Sequence, residues 1–294
     1  MAIDKPENAA PVIGYVHSLQ SMGAVDGPGI RYCVFLQGCP LRCMYCHNPD
    51  TWPIKTGDDS LSFSEVSRKQ ESYPQSYTPE ELIAKILRYK PYFANGGGVT
   101  ISGGEPLVQA EFVAELFSLL HEHGIHTCLD TSGNFPEDLN KLNSSYFSDK
   151  NAPENDPLSE PSSKNSTENR LLSYDRLLSV TDLVICDIKF TTEKEYREYT
   201  GGSLEKVKLF LDMVTRRSVP LWIRHVVVPG YTDSAEEVSA MVRLAKSYPT
   251  LQKIELLPFH KLCIPKYEAL GIPFRCADIP ECSKERIDEL NSLL

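Results

Sequence analysis

A chain of 294 residues suffices for one large domain or two small ones, and its make-up, 41% hydrophobic and 24% charged, excludes collagen-like, low-complexity and wholly disordered classes. Thirty basic against forty acidic residues leave a formal charge of −10, which argues against nucleic acid as a partner because phosphates demand a basic face. No apolar run approaches the ~20 residues of a bilayer span, and residues 1–10 read as neither a signal nor a transit sequence, so the expectation is a cytoplasmic protein with no membrane partner.

Short apolar runs alternate with amphipathic segments. The first 11 residues read as a flexible tail, with one domain from 12 to 294. Residues 30–37, rich in branched and aromatic side chains, read as a buried strand. Residues 55–77 read as a polar linker. Thr78-Pro79-Glu80-Glu81 opens a helix: Thr78 can cap, Pro79 suits the first turn and Glu81 completes a capping box ahead of Leu82, Ile83, Ile86 and Leu87. Strands follow at 98–102 and 126–130, separated by a helix at 109–123 that stops at Gly124. Residues 140–170 hold seven Ser, six Asn and three Pro with few large apolar residues, and read as a disordered low-complexity insertion. Strands at 182–188, 220–228 and 253–257 then alternate with helices at 203–217, after the cap Ser234, and at 283–294. Repeated strand–helix units predict a parallel α/β sheet covered by helices. Periodicity leaves open whether it is doubly wound or an incomplete β/α barrel.

Nine cysteines are many for a reducing compartment, where clustered thiols suggest metal binding or catalysis rather than disulfides. Cys39, Cys43 and Cys46 cluster on the loop after the first strand; Cys33, Cys128, Cys186, Cys263, Cys276 and Cys282 are dispersed and read as small buried hydrophobes. Three thiolates with no fourth ligand suit a [4Fe–4S] cluster with one open iron better than a closed zinc site. His47, directly after a cysteine, is a poor fourth ligand. A non-enzymatic zinc module is the alternative from another class.

Other candidate residues lie at strand ends. In Ser102-Gly103-Gly104-Glu105-Pro106, glycines let the backbone approach a ligand closely, and the carboxylate can accept from an ammonium group. Asp130-Thr131 and Asp187-Ile188-Lys189 end two further strands. Arg224 sits inside an apolar run, where a guanidinium is costly unless paired. His260 follows the sixth strand. Ligand sites of β/α barrels and open α/β sheets form at this carboxyl edge.

The spacing Cys39-x3-Cys43-x2-Cys46, with Tyr45 before the third cysteine, resembles the signature of the radical S-adenosylmethionine superfamily. Val25-Asp26-Gly27-Pro28-Gly29-Ile30-Arg31 and Tyr45-Cys46-His47-Asn48 narrow the resemblance to the glycyl-radical-enzyme activases, those acting on pyruvate formate-lyase most closely. It runs from about Val12 to at least His260. The resemblance implies a partial (β/α)6 TIM-like barrel, open at the side. It implies that the cluster cysteines and S-adenosylmethionine together yield a 5′-deoxyadenosyl radical and methionine, and that this radical takes a hydrogen from a backbone glycine of the partner under anaerobic conditions. It also implies that Tyr45, Cys46, His47, Asn48, Gly103, Gly104, Glu105, Asp187, Ile188, Lys189 and His260 bind S-adenosylmethionine, with Lys189 on its carboxylate and His260 on its nucleoside. Asp26, Lys189 and Arg224 are the implied catalytic residues; Asp130, Thr131 and Asp187 would share a monovalent cation. The implied partners are pyruvate formate-lyase and, as electron donor, a flavodoxin or ferredoxin. Two enzyme alternatives stand beside this: an activase of another glycyl radical enzyme, which the lack of cysteines in 51–77 disfavours, and a radical enzyme acting on a small molecule.

Overall fold

The strand–helix alternation is realised in the computed structural model, which describes residues 11–54, 74–136 and 166–294. The strands are β1 (Gly14–Gly23), β2 (Arg31–Leu36), β3 (Gln75–Tyr77), β4 (Gly98–Gly103), β5 (His126–Thr131), β6 (Leu183–Asp187), β7 (Leu221–Val227) and β8 (Leu251–Pro258). The helices are α1 (Pro79–Ile86), α2 (Ala110–Glu122), α3 (Ser166–Ser179), α4 (Glu193–Thr200), α5 (Leu204–Arg216), α6 (Ala235–Lys246), α7 (Ile264–Leu270) and α8 (Lys284–Asn291).

All eight strands form one sheet in the order β3-β1-β2-β4-β5-β6-β7-β8, with β3 and β8 as its two edges, so the sheet does not close. The run from β2 through β8 is parallel throughout, and these are the six strands expected from sequence. β1 and β3 are additions, joined antiparallel on the β2 side. Neither was expected, because neither buries a full alternate face: β1 is largely half-exposed and β3 is exposed. Gln75–Tyr77 thus leaves the expected linker, whose residues 55–73 lie outside the described residues.

The low-complexity insertion needs a similar correction. Its last residues, from Ser166, belong to helix α3, while 140–165, like the tail at 1–10, lie outside the described residues. Leu171, Tyr174, Leu177 and Leu178 are each at most 1% exposed and form a helical stripe against the core. That stripe lies beyond the polar stretch, and the helix extends back from it.

Helix boundaries follow their caps. Thr78 Oγ1 accepts from the Glu81 N–H at 3.3 Å and Glu81 Oε2 accepts from the Thr78 N–H at 2.9 Å, the expected reciprocal box. The main core lies between sheet and helices. Val34, Leu36, Val99, Ile101, Leu129, Val184 and Ile223 face Phe112, Val113, Leu116, Phe117, Phe210 and Leu211, each side chain contributing about 1.5–3 kcal/mol by leaving water. The concave face is more polar. A small cluster of Cys128, Leu183 and Ile185 lies apart from the main core with Trp222 against it.

Arg31, fully buried, anchors the turn between β1 and β2. Its Nε donates to Thr100 Oγ1 at 2.9 Å, Nη2 to the Val99 carbonyl at 2.5 Å, and Nη1 to the carbonyls of Pro28 and Gly96 at 3.4 and 3.3 Å. Burial lowers its pKa, and these acceptors are what keep the charge affordable there.

Close backbone packing of β4 on β5 makes Gly98 irreplaceable: a Cβ there would stand 2.1 Å from the His126 carbonyl oxygen. Gly98→Ala should cost about 1–3 kcal/mol as β4 is pushed off β5, read as a lower midpoint in chemical denaturation.

Candidate active site

The site grows from two loops held backbone to backbone. The cysteine loop leaves β2 at Gly38, and the Gly-Gly-Glu loop leaves β4 at Gly103. Gly104 N–H donates to the Leu36 carbonyl and Glu105 N–H to the Gly38 carbonyl, both at 2.8 Å. A Cβ on Gly104 would lie 2.2 Å from Gly38 O, and one on Gly103, whose φ is +111°, 2.2 Å from Leu36 N. The glycines expected to admit a ligand therefore first admit the neighbouring loop.

Glu105 is 1% exposed. Its Oε1 accepts from Thr131 Oγ1 at 2.5 Å and from the Leu107 N–H at 3.0 Å; its Oε2 accepts from the Ser132 N–H at 2.9 Å and Ser132 Oγ at 2.5 Å. Burial raises its pKa against these hydrogen bonds. The carboxylate expected to meet an ammonium group is engaged by the β5 loop, and Thr131 Oγ1 also accepts from the Gly133 N–H at 3.0 Å.

Cys39 and Cys43 pack with Leu41 as a small apolar cluster of their own, with Cys46 and Trp52 against it. Burial raises the pKa of all three thiols, so a bound metal must displace their protons. Backbone N–H groups already point at sulfur, from Leu41 to Cys39 and from Asn48 to Cys46. Among the described residues no group of three or more His, Cys, Asp or Glu side chains stands close enough to chelate a single ion. Gathered but spread thiols in a dry, N–H-rich loop fit separate irons of a cluster better than one zinc. The loop is braced from behind. Arg42 N–H donates to the Thr200 carbonyl at 2.7 Å and Met44 N–H to the Tyr199 carbonyl at 2.8 Å, both at the end of α4. Tyr267 Oη donates to the Cys46 carbonyl at 3.1 Å, and Cys276 Sγ to the Met44 carbonyl at 3.2 Å.

The remaining charges form a row across the concave face. Asp187, Arg224 and Glu255 are register partners on β6, β7 and β8. Arg224 Nε donates to Glu255 Oε2 at 2.9 Å, Nη1 lies 3.9 Å from Asp130 Oδ2, and Nη2 reaches the Val25 carbonyl. Lys189 Nζ bonds Asp187 Oδ2 at 2.7 Å. Burial opposes the charges of Lys189 and Arg224, but their acidic neighbours outweigh it and both pKa values rise. Asp130 accepts from Ser102 Oγ at 2.7 Å; burial, only partly offset by Arg224 and reinforced by Asp187, raises its pKa to about 6.

The other expected residues fall around this row. Tyr45 is buried beside Phe190, ring centroids 6.2 Å apart, and its hydroxyl has no hydrogen-bond partner among the described residues. His47 meets His260 edge to face at 4.9 Å; burial, then His260, lowers its pKa and keeps it neutral. Asn48 Oδ1 accepts from Lys266 Nζ at 2.6 Å, and Ile188 N–H donates to the Arg224 carbonyl at 3.0 Å. Asp26 lies on the turn held by Arg31. Its carbonyl accepts from Thr100 Oγ1 at 2.6 Å and its Oδ2 from Cys33 Sγ at 3.3 Å. Glu255, Ser102 and Lys266 escaped the sequence reading, since nothing in their spacing ties them to partners 28 to 218 positions away, and Trp52 escaped it because it belongs to no motif.

The 4Fe-4S single cluster domain family matches residues 25–151. The pyruvate formate-lyase-activating enzyme of Clostridium pasteurianum is 39% identical over 284 residues, covering 96% of this chain and 98% of its relative. The chain belongs to the pyruvate formate-lyase-activating enzyme family. The enzyme of the same name from Staphylococcus epidermidis is 37% identical, covering 94% and 93% of the two chains. Among solved structures, a radical S-adenosylmethionine methyltransferase from Sphaerobacter thermophilus shares the fold, with a TM-score of 0.51 at 14% identity over 97% of this chain and 74% of the other. As a member of the activating-enzyme family, the chain is a radical S-adenosylmethionine enzyme with a [4Fe–4S] cluster. No helix among the described residues is long and apolar enough to cross a membrane.

The raised pKa of Asp130 sets a pH dependence. Its folded pKa, about 6, lies above the ordinary carboxylate value of 3.8. The native state therefore holds this proton more tightly, and the stability it contributes is present at low pH and lost as pH rises through about 6. Asp130→Asn removes that dependence. Denaturation of the metal-free chain between pH 4 and 7 should show the variant gaining on wild type as pH rises.

Proposed function

We propose that this chain activates pyruvate formate-lyase by generating a radical on a backbone glycine of that enzyme. The observation that carries the reading is the gathering of three thiols, Cys39 and Cys43 buried and Cys46 half-buried, at the same sheet edge as the Asp130–Arg224–Asp187–Lys189 row, in a chain similar to activating enzymes over nearly its whole length. In this reading the three cysteines hold the [4Fe–4S] cluster, and residues 12–294 act as one domain. When bound, the cluster supplies the electron that splits S-adenosylmethionine into methionine and a 5′-deoxyadenosyl radical.

The chain's own residues bind, orient and exclude water. Lys189, fixed on Asp187, presents its ammonium to the carboxylate of the methionine moiety. The loop of Gly103, Gly104 and Glu105 receives the amino group, with the Glu105 side chain serving to hold the loop rigid. Ile188, Tyr45, Cys46, His47, Asn48 and His260 bound the rest of the molecule, and the edge-to-face His47–His260 ring pair suits a nucleoside. Asp130, Thr131 and Asp187 offer oxygen donors to a monovalent cation. Arg224 and Asp26 line the side of the barrel from which a glycine-bearing loop would enter; Arg224 already binds backbone at Val25, which is what a peptide would ask of it. The open sheet gives a macromolecule access that a closed barrel would deny. A flavodoxin or ferredoxin as electron donor, cytoplasmic location and a place in anaerobic glucose metabolism complete the proposal.

Anaerobic electron paramagnetic resonance tests it. Reconstituted, reduced protein mixed with S-adenosylmethionine and inactive pyruvate formate-lyase should give a glycyl-radical signal. Cys43→Ala should abolish both cluster and signal. 5′-Deoxyadenosine without a glycyl radical would reassign the substrate, and neither product from cluster-loaded protein would overturn the reading.

A further inference from the structure

Trp52 belongs to no motif, yet it touches the cysteine loop at both ends. Its carbonyl accepts from the Cys39 N–H at 3.3 Å, and its indole Nε1–H donates to Cys46 Sγ at 3.3 Å. The ring cannot easily turn away. The Arg42 guanidinium sits over it, 4.9 Å from the centroid, and Tyr267 meets it nearly edge-on at 6.1 Å. Arg42 is itself pinned, donating to the carbonyls of Cys39 and Leu41 at 2.9 and 2.6 Å. The indole thus carries an exposed cation over its face and the Cys46 thiol at its N–H edge. Among the described residues, Cys46 is the one of the three cysteines whose sulfur accepts from a side-chain N–H.

We propose that Trp52 is a positioning residue that sets the reduction potential of the cluster, with Arg42 as its support. The inference rests on Cys39, Cys43 and Cys46 holding the cluster. Reduction adds one negative charge, part of which resides on the thiolate sulfurs. An N–H dipole fixed on Cys46 stabilises that added charge more than it stabilises the oxidised state, so it raises the potential. The Arg42 charge beyond the ring acts in the same direction, weakened by its exposure to water. The cluster must accept an electron before S-adenosylmethionine can be cleaved, so this hydrogen bond widens the range of donors able to reduce it.

The test is a redox titration of anaerobically reconstituted Trp52→Phe, followed by electron paramagnetic resonance. Iron and acid-labile sulfide are measured first. Phenylalanine keeps an aromatic plate but has no N–H. The midpoint of the loaded variant should move to more negative potential. Poised at the wild-type midpoint, its reduced-to-oxidised ratio should fall about tenfold, the equivalent of about 59 mV for one electron. Arg42→Gln should move it a smaller amount the same way. A fully loaded Trp52→Phe with the wild-type midpoint overturns the proposal. If that variant does not take up the cluster, wild-type protein labelled with 15N in its indoles provides the second measurement. Magnetic coupling of the reduced cluster to an indole nitrogen, retained in Trp222→Phe, supports the contact; its absence overturns it. Failure of the wild type to bind a [4Fe–4S] cluster at all would fall on the cysteine assignment, not on Trp52.

Discussion

The buried carboxylate of Glu105 is the constraint on which the site depends. A carboxylate removed from water is costly unless each oxygen is satisfied, and here the satisfying groups come from the next strand's loop. The cost of burial is thereby turned into geometry, because the loops after β4 and β5 cannot separate without stranding the charge. The backbone of the same loop bonds to Leu36 and Gly38, so the loop after β2, which carries the cysteines, is tied into the same unit. Three consecutive carboxyl ends of the sheet are locked by one side chain and two glycines. No single motif explains this arrangement; it needs Gly104 to have no Cβ and Glu105 to have one.

On this rigid edge the charges are arranged to be stable only together. Asp130 and Asp187 repel each other, and Lys189 and Arg224 would be poorly placed alone in a half-dry cavity. Acidic neighbours outweigh burial at Lys189 and Arg224, whereas at Asp130 the like charge of Asp187 adds to burial and the two outweigh Arg224. A zwitterionic ligand carrying both ammonium and carboxylate is the natural complement of such a row. Its two charged ends meet opposite signs already present in the row. The overall acidity of the chain, −10, plays no part in this; the site's balance is local.

Five of the parallel strands, β2 and β4 to β7, were legible because most of their residues are buried and lie in short apolar runs between clear stops; β8, largely half-buried, was legible from Ile254, Leu256 and Leu257. Helices with Ser or Thr caps and a full apolar stripe, such as those after Thr78 and Ser203, were legible for the same reason. What stayed hidden was held by tertiary contact alone. β1 has weak alternation and is a strand because β2 offers it an edge. Helix α4, Glu193–Thr200, buries little beyond Tyr196 and Thr200, and α7 is seven residues long, too short to show a period. At the site, residues bearing chemistry were visible because they stand at strand ends. Their partners were not: Ser102, Glu255, Lys266 and Trp52 are ordinary residues until the fold sets them beside Asp130, Arg224, Asn48 and Cys46.

The two hidden helices matter because a cysteine loop has no regular structure of its own to hold it. Between Gly38 and Asn48 the loop has one backbone-to-backbone hydrogen bond within it, the Cys46 N–H to the Cys43 carbonyl at 3.1 Å, to which the Arg42 side chain adds bonds to the Cys39 and Leu41 carbonyls. Its shape is imposed by α4 on one side, through Thr200 and Tyr199, and by the segment around α7 on the other, through Lys266, Tyr267 and Cys276. Such a loop can present three thiols with their sulfurs apart before any metal arrives, since the brace does not depend on the metal. The ordering cost of the loop is then met in folding rather than in cluster uptake. That accounts for a C-terminal segment which continues past the sixth parallel strand: it is the rear wall of the cluster loop, and its place in the sequence, more than 200 positions from the cysteines, follows from the sheet's bringing its first and last parallel strands toward the same opening.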